Sequence, residues 1–257
     1  MGIEKKKGAD VKNAIEYLEW RFNRSRELME DVKYREESLR WLNVAVQNDY
    51  SYMFQWMGVP IIQFPSDILL IQEAVFRSKA NKIVEIGIAR GGMTLFLASL
   101  LKLIHGSQES TVIGVDISVS SHTYDALNNS ALKGNVLLIQ GDSASKDTQA
   151  QVSQHVKKED KVIVILDSNH THAHVYKELQ FYSDMVSKGS FLIVMDTAIE
   201  YLDPENVGED KEWSCGNNPK TAVDEFLSRY PNTFVLDEEL NSRSLPGAAH
   251  GGFLRRV

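Results

Sequence analysis

From Lys82 onward, short apolar runs alternate with stretches of helical periodicity, and no other feature of the sequence restricts the fold as strongly. Lys82–Ile86, Thr111–Asp116, Val136–Gln140 and residues 161–166 and 190–195 read as strands, and residues 91–103 and 173–186 as helices. Runs that stay apolar at consecutive positions are buried on both faces, as in a parallel sheet. Strand–helix alternation with right-handed crossovers then gives a doubly wound α/β sheet. Asn218 and Pro219 read as cap and first residue of a helix through Tyr230, and residues 233–236 and 252–257 as closing strands. Residues from about Asp10 to Arg77 read as helical, with Ile15, Leu18, Phe22, Leu28 and Met29 at roughly helical spacing. Within them, Tyr50-Ser-Tyr-Met-Phe-Gln-Trp-Met57 is aromatic and is closed by Gly58 and Pro60. That segment packs on the main domain, covers a substrate or forms an oligomer interface. Ser66 reads as the cap of a helix with Asp67 in its first turn. The expected division is a helical extension over residues 1–77 and an α/β domain over 78–257.

Composition excludes several classes. A net charge of -7 argues against a broad, backbone-driven nucleic-acid surface, which needs a basic face. Cys215 is the single cysteine, so no internal disulfide forms, and Ser214 and Gly216 beside it offer no base for a nucleophile. No apolar run approaches the roughly 20 residues a bilayer crossing needs. The basic start leads into no apolar signal core, and Lys6 stands where a myristoylation signal wants Ser or Thr. The expected location is the cytoplasm.

In open α/β sheets, ligands bind beyond the carboxyl ends of the strands. The first strand runs into Gly87-Ile-Ala-Arg-Gly91-Gly92, where Ala89 replaces the middle glycine of a dinucleotide fingerprint. Glu85 just before it would repel a pyrophosphate and suits a cationic or zwitterionic ligand. Asp116 ends the second strand, where a carboxylate accepts from ribose hydroxyls, and Gln140-Gly141-Asp142-Ser143 forms a polar turn placed for an adenine edge. This order matches the S-adenosylmethionine methyltransferase pattern. The expected cofactor residues are Glu85, Gly87, Arg90, Gly91, Asp116, Gly141, Asp142, Ser143 and Asp167. Turn or capping chemistry is the ordinary alternative for Asp116 and Asp142.

Asp167 and Asp196 end the next two strands. If those strands are neighbours, the two ends lie roughly 5 Å apart. Two carboxylates that close repel unless a cation sits between them, and Mg²⁺ suits such a pair. His170, three residues on, is a suitable general base for a metal-polarised hydroxyl, with a reference pKa of about 6.5. His172 and His174 compete for that role, serve as ligands, or are plain helix-entry histidines.

Pro60-Ile-Ile-Gln63, Glu85-Ile-Gly87, Leu166-Asp-Ser-Asn-His-Thr-His-Ala-His174, residues 191–197 and Gly216-Asn-Asn-Pro-Lys220 resemble the cephalosporin hydroxylase (cephem methoxylation) family. Met195-Asp196-Thr197-Ala-Ile-Glu200 and the Gly216 segment are most similar to its rhamnosyl O-methyltransferase branch. The resemblance runs from about Tyr50 to Phe226. It implies a Rossmann-like methyltransferase fold, with a mostly parallel seven-stranded sheet and an antiparallel C-terminal strand. It also implies S-adenosylmethionine, Mg²⁺ and a homo-oligomer. Similar metal-dependent sugar O-methyltransferases place a metal aspartate three residues before a histidine base, which implies Asp167 and His170. Their second acidic site is a Glu-Asp pair, whereas this chain has Met195-Asp196, leaving Thr197, Glu200 or water for the third ligand. The implied acceptor is a hydroxyl of a sugar, glycolipid or secondary metabolite. Two alternatives stand beside this. One is a metal-dependent hydroxylase of a β-lactam-like molecule, using Asp167, His170 and His172 or His174 as a two-histidine, one-carboxylate set. The other is a non-catalytic cofactor-binding assembly protein. Residues 199–218, with Trp213, read as a lid or an ordinary surface loop.

Overall fold

The computed structural model describes Gly8 and residues 13–106, 109–207 and 211–257. The readings of the basic start and of a helix beginning near Asp10 lie outside the described residues. Helices α1 (Ala14–Glu30) and α2 (Val32–Gln47) follow one another through Asp31, which ends the first and caps the second at Tyr34 N.

A hairpin then breaks the region read as helix: β1 (Phe54–Trp56) and β2 (Val59–Ile61). Met57 and Gly58 turn it, both in the left-handed region at φ 50 and 84, the conformation a tight two-residue hairpin turn needs. The stretch is strand and not helix there because Phe54 and Trp56 alternate with exposed Gln55, a period of two rather than 3.6.

In α3 (Pro65–Ser78) Pro65 stands at the first helical position and Phe64 precedes it as the cap. Ser66 is therefore inside the helix and not its cap. Proline needs no partner for a missing N–H, and the Ser66 hydroxyl donates instead to the Pro246 carbonyl at 2.9 Å.

The alternating region comprises β3 (Lys82–Ile86), α4 (Gly92–His105), β4 (Thr111–Asp116), α5 (Ser121–Asn128), β5 (Val136–Gln140), α6 (Lys146–Gln154), β6 (Val162–Leu166), α7 (His172–Tyr182) and β7 (Phe191–Val194). It continues with α8 (Pro204–Val207), α9 (Pro219–Arg229), β8 (Phe234–Leu236), α10 (Glu238–Asn241) and β9 (Phe253–Arg256). The seven-stranded sheet has the order β5-β4-β3-β6-β7-β9-β8. Strands β3 to β7 run parallel, and β9 runs antiparallel to both its neighbours.

Each face of the sheet carries its own apolar layer. Ile83, Ile163, Ile165 and Ile193 pack under Ile71 and Val75 of α3 and Leu97 and Leu101 of α4. Val84, Val164, Leu166 and Leu192 pack under Val175, Leu179 and Tyr182 of α7 and Val223 and Phe226 of α9. Burying each such side chain contributes about 1.5–3 kcal/mol, which holds the strand ends rigidly. The chain runs outward from β3 through β4 to β5, then returns to place β6 on the other side of β3. That reversal opens a crevice at the carboxyl ends of β4, β3 and β6, where ligands of such sheets bind. Among the described residues, no helix is long and apolar enough to cross a membrane.

Candidate active site

Strands β6 and β7 lie side by side with Leu166 opposite Val194, so Asp167 and Asp196 emerge together. The Asp167 amide still donates to Ile86 O at 2.7 Å and the Met195 amide to Leu166 O at 2.9 Å. Asp196 then leaves the strand direction in the left-handed region at φ 55, where aspartate is over-represented.

His170 Nε2 lies 3.1 Å from Asp196 Oδ2 and 3.9 Å from Asp167 Oδ1. One ligand atom from each of Asp167, His170 and Asp196 falls within 4.8 Å of the others. Gln63, from the segment after β2, donates its amide to Asp167 Oδ2 at 2.7 Å. Burial, then the charge of Asp196 and more weakly that of Glu85, hold the Asp167 carboxyl well above the usual carboxylate range, while Gln63 opposes the shift. A divalent cation between the two acids relieves that repulsion, and a pair of hard carboxylate donors suits such an ion.

Two cavities meet at this cluster. One of 360 Å³ is lined by Gly87, Asp116, Gly141, Asp142, Ser143 and Asp167, with Ser168, Asn169 and His174. The other, of 460 Å³, contains Asp167, His170 and Asp196 in its wall beside Tyr52, Gln63, Phe64, Arg90, Asn206 and Lys211. Asp167, Ser168, Gly87, Ala89 and Trp213 belong to both walls. The Trp213 ring stands edge-on to His170, centroids 4.9 Å apart.

The structure thus gathers most of the expected cofactor residues at one cavity, with three exceptions. Arg90 lines the other cavity and is exposed. Glu85 and Gly91 line neither. Successive strand residues face opposite ways, so Glu85 points to the α4 side while Ile86 reaches the cavity. There Glu85 is buried, and neither carboxylate oxygen has a hydrogen-bond partner. Gly91 caps α4 at φ 83, against Thr123 and Leu127. Gly87 must be glycine: its φ is 89, and a Cβ would fall 2.1 Å from the Asp167 carbonyl oxygen.

Turn chemistry is present at both acids for which it was the alternative. Asp116 Oδ2 accepts from the amides of Ile88 at 3.1 Å and Ala89 at 3.2 Å, and Oδ1 from Ser118 N at 3.0 Å. It thereby pins the loop after β3 to the end of β4. Asp142 Oδ1 accepts from Ala144 N at 2.9 Å.

The other histidines turn away from Asp167. His172 bonds Thr221 Oγ1 at 2.8 Å and Glu225 Oε2 at 3.0 Å on α9. His174 Nε2 lies 3.1 Å from Glu178 Oε1. The cluster therefore holds two carboxylates and one imidazole, without the second imidazole that a two-histidine, one-carboxylate iron site requires.

Met195 is core, 2% exposed. Thr197 donates its hydroxyl to the carbonyls of Ala248 and His250, and Glu200 accepts from Gly216 N and Asn218 Nδ2. Neither reaches the acid pair, so of the three alternatives for the third ligand water remains. Gln63 and Glu178 had no assigned role in the sequence. Gln63 lies 104 residues from its partner, whereas the His174-x-x-x-Glu178 spacing on one helix face was visible.

Residues 48–257 match the family described as Rhamnosyl O-methyltransferase/CmcI. The rhamnosyl O-methyltransferase of Mycobacterium bovis (strain BCG / Pasteur 1173P2) is 26% identical over 203 residues, covering 78% of this chain and 77% of its own. An apo structure of CmcI aligns with TM-score 0.59 at 21% identity, over 80% of this chain and 77% of that one. A CmcI structure with Mg and SAM aligns with TM-score 0.55 at 19% identity over the same shares. These two likenesses establish a common fold.

Proposed function

Because the chain belongs to the rhamnosyl O-methyltransferase/CmcI family, we propose that it is a Mg²⁺- and S-adenosylmethionine-dependent O-methyltransferase acting on a hydroxyl of a sugar or sugar-bearing natural product. The observation that carries this reading is the convergence of Asp167, His170 and Asp196 where the two cavities share a wall. The named Mg and SAM of the CmcI structure and the rhamnosyl substrate in the name of the mycobacterial relative support it. When bound, S-adenosylmethionine supplies an electrophilic methyl group and Mg²⁺ makes a coordinated hydroxyl more acidic.

The 360 Å³ cavity takes the cofactor. Asp116 there keeps lone pairs for ribose hydroxyls beyond those its three backbone amides use, and the turn from Gly141 to Ser143 would meet the adenine edge. Asp167 and Asp196 would hold the metal, and Gln63 fixes the orientation of Asp167. The 460 Å³ cavity takes the acceptor: Tyr52, Phe64 and Trp213 offer aromatic faces for a sugar ring, and Asn206 and Gln63 offer polar contacts to its hydroxyls. His170 receives the acceptor proton at Nε2, and Asp196 at 3.1 Å stabilises the imidazolium that forms. Trp213, packed on His170, keeps water from the reacting hydroxyl. With cofactor and acceptor bound on either side of the shared wall, positioning by its residues would supply much of the rate.

His170→Asn separates base from ligand. Methyl transfer is expected to fall by about 10²–10⁴-fold, with Mg²⁺ binding by calorimetry unchanged. Loss of Mg²⁺ binding in this variant would make His170 a ligand and overturn its role as base.

A further inference from the structure

Three side chains on the wall of the 360 Å³ cavity come from three separate segments: Ser143 after β5, Ser168 after β6 and His174 in the first turn of α7. Behind them, one turn further along α7, stands Glu178, 0% exposed. A single oxygen of this acid receives all three. Glu178 Oε1 accepts from Ser143 Oγ, from Ser168 Oγ at 2.6 Å and from His174 Nε2 at 3.1 Å. Ser143 Oγ also lies 3.1 Å from His174 Nε2. Tyr182, the next turn of the same helix, donates to the Ser143 carbonyl at 2.9 Å.

Glu178 Oε2 is buried without a hydrogen-bond partner. Filling this space alone would favour an apolar side chain, since a buried acid with a bare oxygen is unfavourable. What the acid adds is convergence: it ties two loops and a helix start into one surface, and every group it ties faces the same cavity.

We propose that Glu178 is a positioning residue for cofactor binding, locking Ser143, Ser168 and His174 into one wall that receives the nucleoside end of the cofactor. The proposal rests on the reading of this cavity as the S-adenosylmethionine site. With Nε2 committed to Glu178, Nδ1 is the His174 nitrogen left for a ligand. The hydrogen bond to Glu178 also holds the His174 imidazole above the ordinary histidine range, with Asp142 adding to it while burial and Lys177 oppose it.

Glu178→Gln keeps the side-chain volume and removes the acid. Calorimetry with S-adenosylmethionine should show affinity about tenfold weaker than wild type, while acceptor KM and saturated kcat stay within about twofold. In the same variant, the His174 imidazole titration followed by NMR should fall toward the ordinary histidine value. Unchanged cofactor affinity in a folded Glu178→Gln protein, or an equal rise in acceptor KM, overturns the proposal. Where that variant does not fold, His174→Gln leaves the acid in place and carries the test: the same weakening is expected, and unchanged affinity overturns the proposal. Failure of the wild-type protein to bind S-adenosylmethionine would instead sink the reading of the cavity, and this proposal with it.

Discussion

Glu85 sits inside the sheet with both carboxylate oxygens unpartnered, and burial pushes its carboxyl up to about 8, with the charge of Asp116 adding to the shift. Between the ordinary value of 4.5 and about 8, the folded protein keeps a proton that the unfolded chain has released. The unfolded state then binds fewer protons, so this group's contribution to stability falls as pH rises across that window. Glu85→Gln should therefore be more stable than wild type by more than about 1 kcal/mol at pH 8. In urea denaturation the difference should shrink toward zero near pH 4.5; a difference independent of pH would contradict the assignment. Residues of this kind mark the limit of what the sequence discloses. Asp167, His170 and Asp196 were legible because each stands at or just beyond the end of an apolar strand, where an acid or imidazole serves no packing purpose. Glu85 has the same sequence signature, yet strand alternation turns it to the opposite face. Glu178 looks like any helix acid until the fold brings three donors to it.

The hairpin β1–β2 is the element that links packing to the acceptor. It rests on α4 through Trp56 and Phe96, edge to face at 5.0 Å between centroids. It also lies so close to the start of α4 that a Cβ on Gly92 would fall 2.2 Å from the Pro60 carbonyl oxygen. Pro60, Ile62 and Gln63, which follow from that seat, line the 460 Å³ cavity. Gly92→Ala must push the hairpin outward, at a cost of about 1–3 kcal/mol in stability. Steady-state kinetics should show acceptor KM rising while cofactor affinity holds; the reverse split would separate the hairpin from the acceptor. Long apolar strands and α4 were readable from periodicity. Helices α5 and α6 were not, since they are only 8 and 9 residues long, mostly polar, and start on serine caps at Ser120 and Ser145. The hairpin was hidden by its aromatic content, although Met57-Gly58 was its turn signal.

At the scale of the whole molecule, the sheet order brings the ends of β4, β3, β6 and β7 together, and the two cavities follow from it. The strand order was not legible in the sequence, because pairing is decided by contacts far apart in it. Metal and proton compete for the acid pair this order creates. Since Asp167 is held above its ordinary value of 3.8, Mg²⁺ affinity by calorimetry should rise with pH through a range above that value and level off once the carboxyl has lost its proton. Affinity that is flat with pH would place the ion elsewhere. The most direct test of the proposed activity is transfer of a labelled methyl group from S-adenosylmethionine to a panel of hydroxylated sugars and glycosides, with Mg²⁺ and with chelator, for wild type and Asp196→Asn. Methylated product with Mg²⁺, reduced by at least about 10²-fold in chelator and in Asp196→Asn, is the expected result. Product formed equally well in chelator, or by Asp196→Asn at the wild-type rate, would contradict it.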